Sequence, residues 1–173
     1  MEIRKGVYGW AGKDVDLTGP ELKAGAPAPD FDIIDAAGET VGPGAAKGQV
    51  LIIATMPSVD TPVCDLEMRR LFKEAPTLPS IAILVATTDL PFAQQRWAKA
   101  AELGEQVKLA SDHRTGSMGA AYGVLDAERR LLARAIFVLD RQGILRHVEY
   151  CRSAGDQPNI DKVVEVARSL LAE

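Results

Sequence analysis

Residues 50–64, Val50-Leu51-Ile52-Ile53-Ala54-Thr55-Met56-Pro57-Ser58-Val59-Asp60-Thr61-Pro62-Val63-Cys64, run from a buried strand into a helix and put a cysteine at the junction. The run 50–54 is apolar without alternation, as in a strand covered on both faces. With Thr61 as N-cap, Pro62 falls at N1, where its missing N–H costs nothing, and Cys64 falls at N3. Moving the cap back to Asp60 still leaves Cys64 in the first turn. A thiol there meets unpaired backbone N–H groups and the positive end of the helix dipole, and both favour the reactive thiolate.

Outward from this junction, residues 49–55 read as the buried strand and residues 62 to about 73 as a helix with Val63, Met68, Leu71 and Phe72 on its apolar side. Residues 81–87 are a second buried strand, followed by a helix over 92–103, a short strand over 107–110 and a short helix over 117–122. Residues 134–140 and 144–150 form a hairpin around Gln142-Gly143, and 160–171 a closing amphipathic helix. Upstream, 7–10 and 14–17 form a small hairpin across Ala11-Gly12-Lys13, and 31–35 a short strand. This order predicts an α/β fold, a mixed sheet flanked by helices with an added N-terminal hairpin. It resembles the thioredoxin-like plan.

The chain has 173 residues, 47% of them apolar, which suits a single domain (1–173) with a substantial core. A net charge of -4 and the lack of a basic cluster argue against a nucleic-acid surface. No window is long and apolar enough to cross a membrane. No apolar segment of signal type follows Met1-Glu2-Ile3-Arg4-Lys5-Gly6, so a secretory leader is not expected. Two cysteines so far apart make no disulfide framework. They point to the reducing cytoplasm, where a thiol is more often catalytic or inert than structural.

Several chemistries lack their residues. Gly42-Pro43-Gly44-Ala45-Ala46-Lys47-Gly48 has neither the spacing nor the Lys-Ser/Thr pair of a phosphate loop, and reads as a turn. No C-x-x-C dithiol is present. The two histidines, His113 and His147, do not stand at metal-ligand spacing from a cysteine, and no metal site is expected. There is no G-x-S-x-G elbow, and nothing in the sequence brings His147 to Cys64 as a protease pair would need.

Pro57, Thr61 and Cys64 match the P-x-x-x-T-x-x-C signature of the peroxiredoxins. Three further stretches, Thr88-Asp89-Leu90-Pro91-Phe92-Ala93-Gln94, Ala121-Tyr122-Gly123-Val124 and Leu132-Ala133-Arg134-Ala135, make the chain resemble the atypical two-cysteine, thiol peroxidase branch. The resemblance spans residues 7–171. It implies reduction of hydrogen peroxide and organic hydroperoxides through a Cys64 sulfenic acid, no bound cofactor, thioredoxin or another thiol as reductant, and a homodimer. Arg134 matches the family's active-site arginine and would offset Asp60, Asp65 and Glu67, which stand close to Cys64 in sequence and oppose its thiolate. Thr61 would donate its hydroxyl to the peroxide, and Pro57 would shield the sulfur. Singly, each has a plainer reading: Thr61 as a cap, Arg134 as a surface ion-pair partner, Cys64 as a small buried apolar group. Together, in this order and context, they favour the peroxidase.

One departure from the branch matters. Its relatives carry a resolving cysteine after the Phe-Ala-Gln-x-Arg-aromatic stretch, and here Ala98 follows Arg96-Trp97. Cys151 is the other candidate for resolving. A two-residue turn at Gln142-Gly143 places Cys151 opposite Arg134 and on its face, whereas a three-residue turn places Tyr150 there instead. Both registers fit the sequence, and a bystander role for Cys151 stands beside a resolving one. The second functional class is a peroxide sensor or redox-interaction protein on the same scaffold, with Cys64 oxidised but little turnover.

Overall fold

The structure is a computed structural model that describes residues 1–172, apart from the side chains of Val63, Cys64, Asp65, Glu67 and Met68. Its elements in chain order begin with the strands β1 (Ile3–Trp10), β2 (Lys13–Thr18), β3 (Ile33–Asp35), β4 (Thr40–Val41) and β5 (Val50–Thr55). Helix α1 (Pro62–Glu74), β6 (Ile81–Thr87), α2 (Pro91–Ala100), β7 (Val107–Ser111) and α3 (Ser117–Ala121) follow. The chain ends with β8 (Leu125–Asp126), β9 (Leu131–Leu132), β10 (Ala135–Leu139), β11 (Leu145–Tyr150) and α4 (Ile160–Leu171). The glycine-rich segment at 42–48 holds a short 3-10 turn, Pro43–Ala46.

Seven strands form the central sheet in the order β11-β10-β5-β6-β7-β3-β4. The unbroken apolar runs explain its middle: β5 pairs in parallel with β6, and β6 with β7, because crossover helices cover such strands. On one face Val50, Ile52, Ala54, Ile83, Val85, Ile136 and Val138 pack against Leu71 of α1 and against α4. Helix α4 presents Ile160, Val163, Val164, Ala167 and Leu170 at the spacing of one helical stripe, and Asn159 caps it by accepting the Lys162 N–H at 3.0 Å. Each of its Ile, Val and Leu side chains contributes roughly 1.5–3 kcal/mol on burial.

The opposite face is covered by the N-terminal hairpin and by α3. Leu51, Ile53, Leu84, Ala135 and Phe137 pack there against Tyr8, Val15 and Leu17 of the N-terminal hairpin and against Met118 and Tyr122 around α3. The hairpin belongs to a second sheet, β1-β2-β8-β9. Its turn is Ala11-Gly12 alone, since Trp10 pairs with Lys13 and both turn residues have positive φ (49° and 77°), as a two-residue hairpin turn of this kind requires. Among the described residues no helix is long and apolar enough to cross a membrane.

The β10–β11 hairpin combines features of both sequence-derived registers. The Asp140 N–H donates to the Ile144 carbonyl at 3.0 Å, so the turn has three residues, 141–143. Leu139 faces Leu145 but Val138 faces His147, which makes Arg146 the extra residue of a bulge. Beyond it Ala135 faces Tyr150, and the next step sets Cys151 opposite Arg134. The Asp140 carboxylate fixes this turn. It accepts the Gln142 and Ile144 N–H groups at 2.9 Å each and the Arg146 Nε–H at 2.6 Å.

Candidate active site

Met56 prolongs β5 by donating its N–H to the Ala86 carbonyl at 3.2 Å, and the chain then turns through buried Pro57 into Ser58-Val59-Asp60. Thr61 is the N-cap of α1, with extended backbone (φ -89°, ψ 138°), and Pro62 begins the helix. Cys64 therefore occupies N3, as the sequence predicts. Its side chain lies outside the described residues, as do those of Asp65 and Glu67. The Thr61 hydroxyl departs from the expected role. It donates to the Ser58 carbonyl at 3.3 Å, back into the loop, instead of accepting a helix N–H as a cap.

Arg134 enters from the other side of β5. Ala135 pairs with Thr55, so one further step aligns Arg134 with Met56, the residue that leads into Pro57. Thr55 secures this end by donating its hydroxyl to the Ala133 carbonyl at 2.8 Å. Arg134 is 1% exposed, which excludes the surface ion-pair reading of this residue. Its N–H donates to the Tyr8 hydroxyl and its Nη2 to the Ala154 carbonyl, both at 3.2 Å. A guanidinium stays charged at any physiological pH, so the fold maintains a buried cation next to this loop.

Asp60, one of the carboxylates expected to oppose a thiolate, pairs with Arg96 of α2 at 3.3 Å. Both side chains are exposed, so the pair is a weak constraint. Ala98, where the family resemblance implies a resolving cysteine, packs like Phe72 and Trp97 against the core on the α1–α4 side of the sheet. Cys151 is buried at 8% exposure, with its N–H donating to the Arg134 carbonyl at 3.0 Å. The residues after it are tied to β1, where the Gly9 N–H donates to the Arg152 carbonyl at 2.8 Å and the Ala154 N–H to the Gly9 carbonyl at 2.9 Å.

Tyr8, Thr55 and Asp89 also bond into this site, although no local sequence pattern marks them. The Asp89 carboxylate accepts the Ser58 hydroxyl and the Val59 N–H, at 2.8 Å each. The one available signal for Asp89 was its place in the Thr88–Gln94 stretch that carries the family resemblance.

The arrangement is a strand, a buried proline, a helix opening on a cysteine and a buried arginine in register beside them. Residues 23–164 match the family model described as Redoxin. The chain belongs to the redoxin family. The thiol peroxidase of Bacillus subtilis (strain 168) is 42% identical over 160 residues, which cover 92% of this chain and 95% of the relative. A second thiol peroxidase, from Halalkalibacterium halodurans, is also 42% identical over 160 residues, covering 92% of this chain and 96% of the relative. The crystal structure of a peroxiredoxin-like protein from Aquifex aeolicus superposes with a TM-score of 0.86 at 35% identity, covering 96% of this chain and 97% of the other. The thiol peroxidase from Chromobacterium violaceum superposes at 0.84 with 19% identity, covering 96% of each chain, a likeness of fold alone. The activity of this redoxin chain is that of a thiol peroxidase, a peroxiredoxin enzyme.

Proposed function

We propose that Cys64 is the nucleophile of this peroxidase and that hydrogen peroxide and organic hydroperoxides are its substrates. Its thiolate attacks the terminal peroxide oxygen. The O–O bond breaks, the sulfur is oxidised to a sulfenic acid, and the leaving oxygen takes up a proton as water or alcohol. The observation that carries this reading is the pairing of Cys64 at N3 of α1 with a buried Arg134 in register beside the loop that leads to it. Helix dipole and cation act together on the thiolate. Arg134 also donates to the peroxide oxygens. Thr61 reaches the peroxide by turning its hydroxyl away from the Ser58 carbonyl, and buried Pro57 limits access to the sulfur.

An external thiol, thioredoxin or a smaller one, then attacks the sulfenic acid, forms a mixed disulfide and releases water, and a second thiol frees Cys64. The burial of Cys151 and the backbone bonds that hold residues 151–154 support this route over an internal bridge. The enzyme acts in the reducing cytoplasm as one domain and as a homodimer. Exposed Leu66, Leu90 and Phe92, on α1 and at the start of α2, support a docking surface at this end of the sheet. Steady-state peroxide consumption with thioredoxin, glutaredoxin or a small thiol tests the reading. Sustained turnover with one of them is expected. One oxidation followed by a stalled sulfenate with every reductant would favour the peroxide-sensor reading, which the loss of the branch's own resolving thiol at Ala98 supports.

A further inference from the structure

Asp89 follows β6 at the turn into α2, and its carboxylate is directed across to the loop after β5. Oδ1 accepts the Ser58 hydroxyl at 2.8 Å, and Oδ2 accepts the Val59 N–H and the Thr87 hydroxyl, each at 2.8 Å. The Thr87 hydroxyl in turn accepts the Asp89 N–H and the Gln94 amide, both at 3.0 Å, and the same amide donates to the Ala110 carbonyl at 2.9 Å. On the other side, the Ser58 hydroxyl accepts the Asp60 N–H at 3.1 Å, and the Ser58 carbonyl accepts the Thr61 hydroxyl. Thr87 and Gln94 are buried. The two hydroxyls each donate once and accept from backbone or amide N–H, so their orientations are fixed. The result is a directed chain of bonds from the sheet and α2, through Asp89, to the N-cap of α1.

We propose that Asp89 is a positioning residue of the peroxidase. Its carboxylate holds the Ser58-Val59 segment, and thereby places Thr61 at the N-cap and the first turn of α1, where Cys64 stands. This rests on the assignment of Cys64 as nucleophile. Three donors, two from the loop after β5 and one from the last residue of β6, converge on one carboxylate at short distance, which is more than the turn into α2 requires by itself. Two of them, the Ser58 hydroxyl and the Val59 N–H, lie in the segment that must be fixed. A misplacement of about 1 Å at a reacting centre costs on the order of a hundredfold in rate.

The test compares Asp89→Ala, Asp89→Asn and Ser58→Ala with wild type and Cys64→Ser, reading the second-order rate of peroxide consumption and the pH midpoint of Cys64 alkylation, with the alkylated peptide identified by mass. Asp89→Ala is expected to lower the rate on the order of 30-fold and to raise the alkylation midpoint. Asp89→Asn keeps an oxygen for Val59 and Thr87 and turns its amide to the Ser58 oxygen, so it should stay within about fivefold of wild type. Ser58→Ala should fall between them, and added to Asp89→Ala should cost less than about twofold more, because the shared bond is already gone. A purely structural Asp89 would lower the melting temperature and leave rate and midpoint of the folded enzyme unchanged. That result, with Cys64→Ser inactive, overturns the proposal while the nucleophile stands. An active Cys64→Ser overturns the nucleophile and this proposal with it. Should Asp89→Ala fail to fold, Ser58→Ala decides: a rate unchanged from wild type overturns the proposal, and a clear loss without a change in melting temperature supports it.

Discussion

The Cys151 N–H donates to the Arg134 carbonyl at 3.0 Å, which extends the β10–β11 ladder one pair beyond Ala135 and Tyr150. Opposed residues share a face, so this pairing places Cys151 on the Arg134 side of the sheet. Arg146 is what makes it so. As the extra residue of the bulge, it restores the register that a three-residue turn alone would have shifted by one. The same pairing also holds Cys151 still, because the residues after it are bonded to Gly9.

That constraint predicts the product of oxidation. After one equivalent of peroxide and thiol blocking, intact mass should show one added oxygen on Cys64, with Cys151 still open to alkylation under denaturing conditions. A monomer lighter by two hydrogens would instead reveal a Cys64–Cys151 bridge and an α1 first turn that unwinds to make it.

Replacing the buried cation should raise the Cys64 pKa and slow attack on peroxide. Arg134→Ala is expected to lose on the order of a hundredfold in rate, the scale of removing a preorganised electrostatic donor. Arg134→Lys should recover only part, since a point charge does not reproduce the planar fork. The check is the pH midpoint of Cys64 alkylation beside the peroxide rate, on protein shown to be folded by circular dichroism. An unmoved midpoint in Arg134→Ala would remove Arg134 from activation.

Asp140 ties stability to pH through the turn that sets this register. Burial by itself would raise its carboxyl, but the Ile144 N–H, the Arg146 guanidinium and the Gln142 N–H outweigh it and hold the pKa below the ordinary 3.8. A depressed folded pKa gives stability that is present above the unfolded value and is lost as pH falls through the folded one. Asp140→Ala should therefore cost about 2 kcal/mol at pH 7 by denaturant unfolding. The gap from wild type should shrink on acidification below 3.8. An equal gap at neutral and acid pH would show that the ionised carboxylate is not what matters.

What could be read in the sequence was what repeats with a local period. β5 and β6 are apolar on both faces, and α4 carries its stripe over three turns, so their positions follow from pattern alone. Thr61 and Pro62 marked the start of α1, and Cys64 at N3 followed from them. β8 and β9, two residues each, are too short for any alternation to show. The hairpin register was hidden because turn length and bulge compensate: Leu145 and His147 have the same parity in sequence, yet the extra Arg146 puts them on opposite faces. Asp89 was hidden for another reason. Its partners Ser58 and Val59 lie on a different loop, brought near only by the parallel pairing of β5 with β6.

Single-turnover peroxide consumption in Cys64→Ser beside Cys151→Ser decides whether one sulfur at the mouth of α1 performs the first chemical step. No consumption above buffer is expected for Cys64→Ser, and a first-step rate equal to wild type for Cys151→Ser. Comparable consumption by wild type and Cys64→Ser would contradict the assignment of Cys64 as nucleophile.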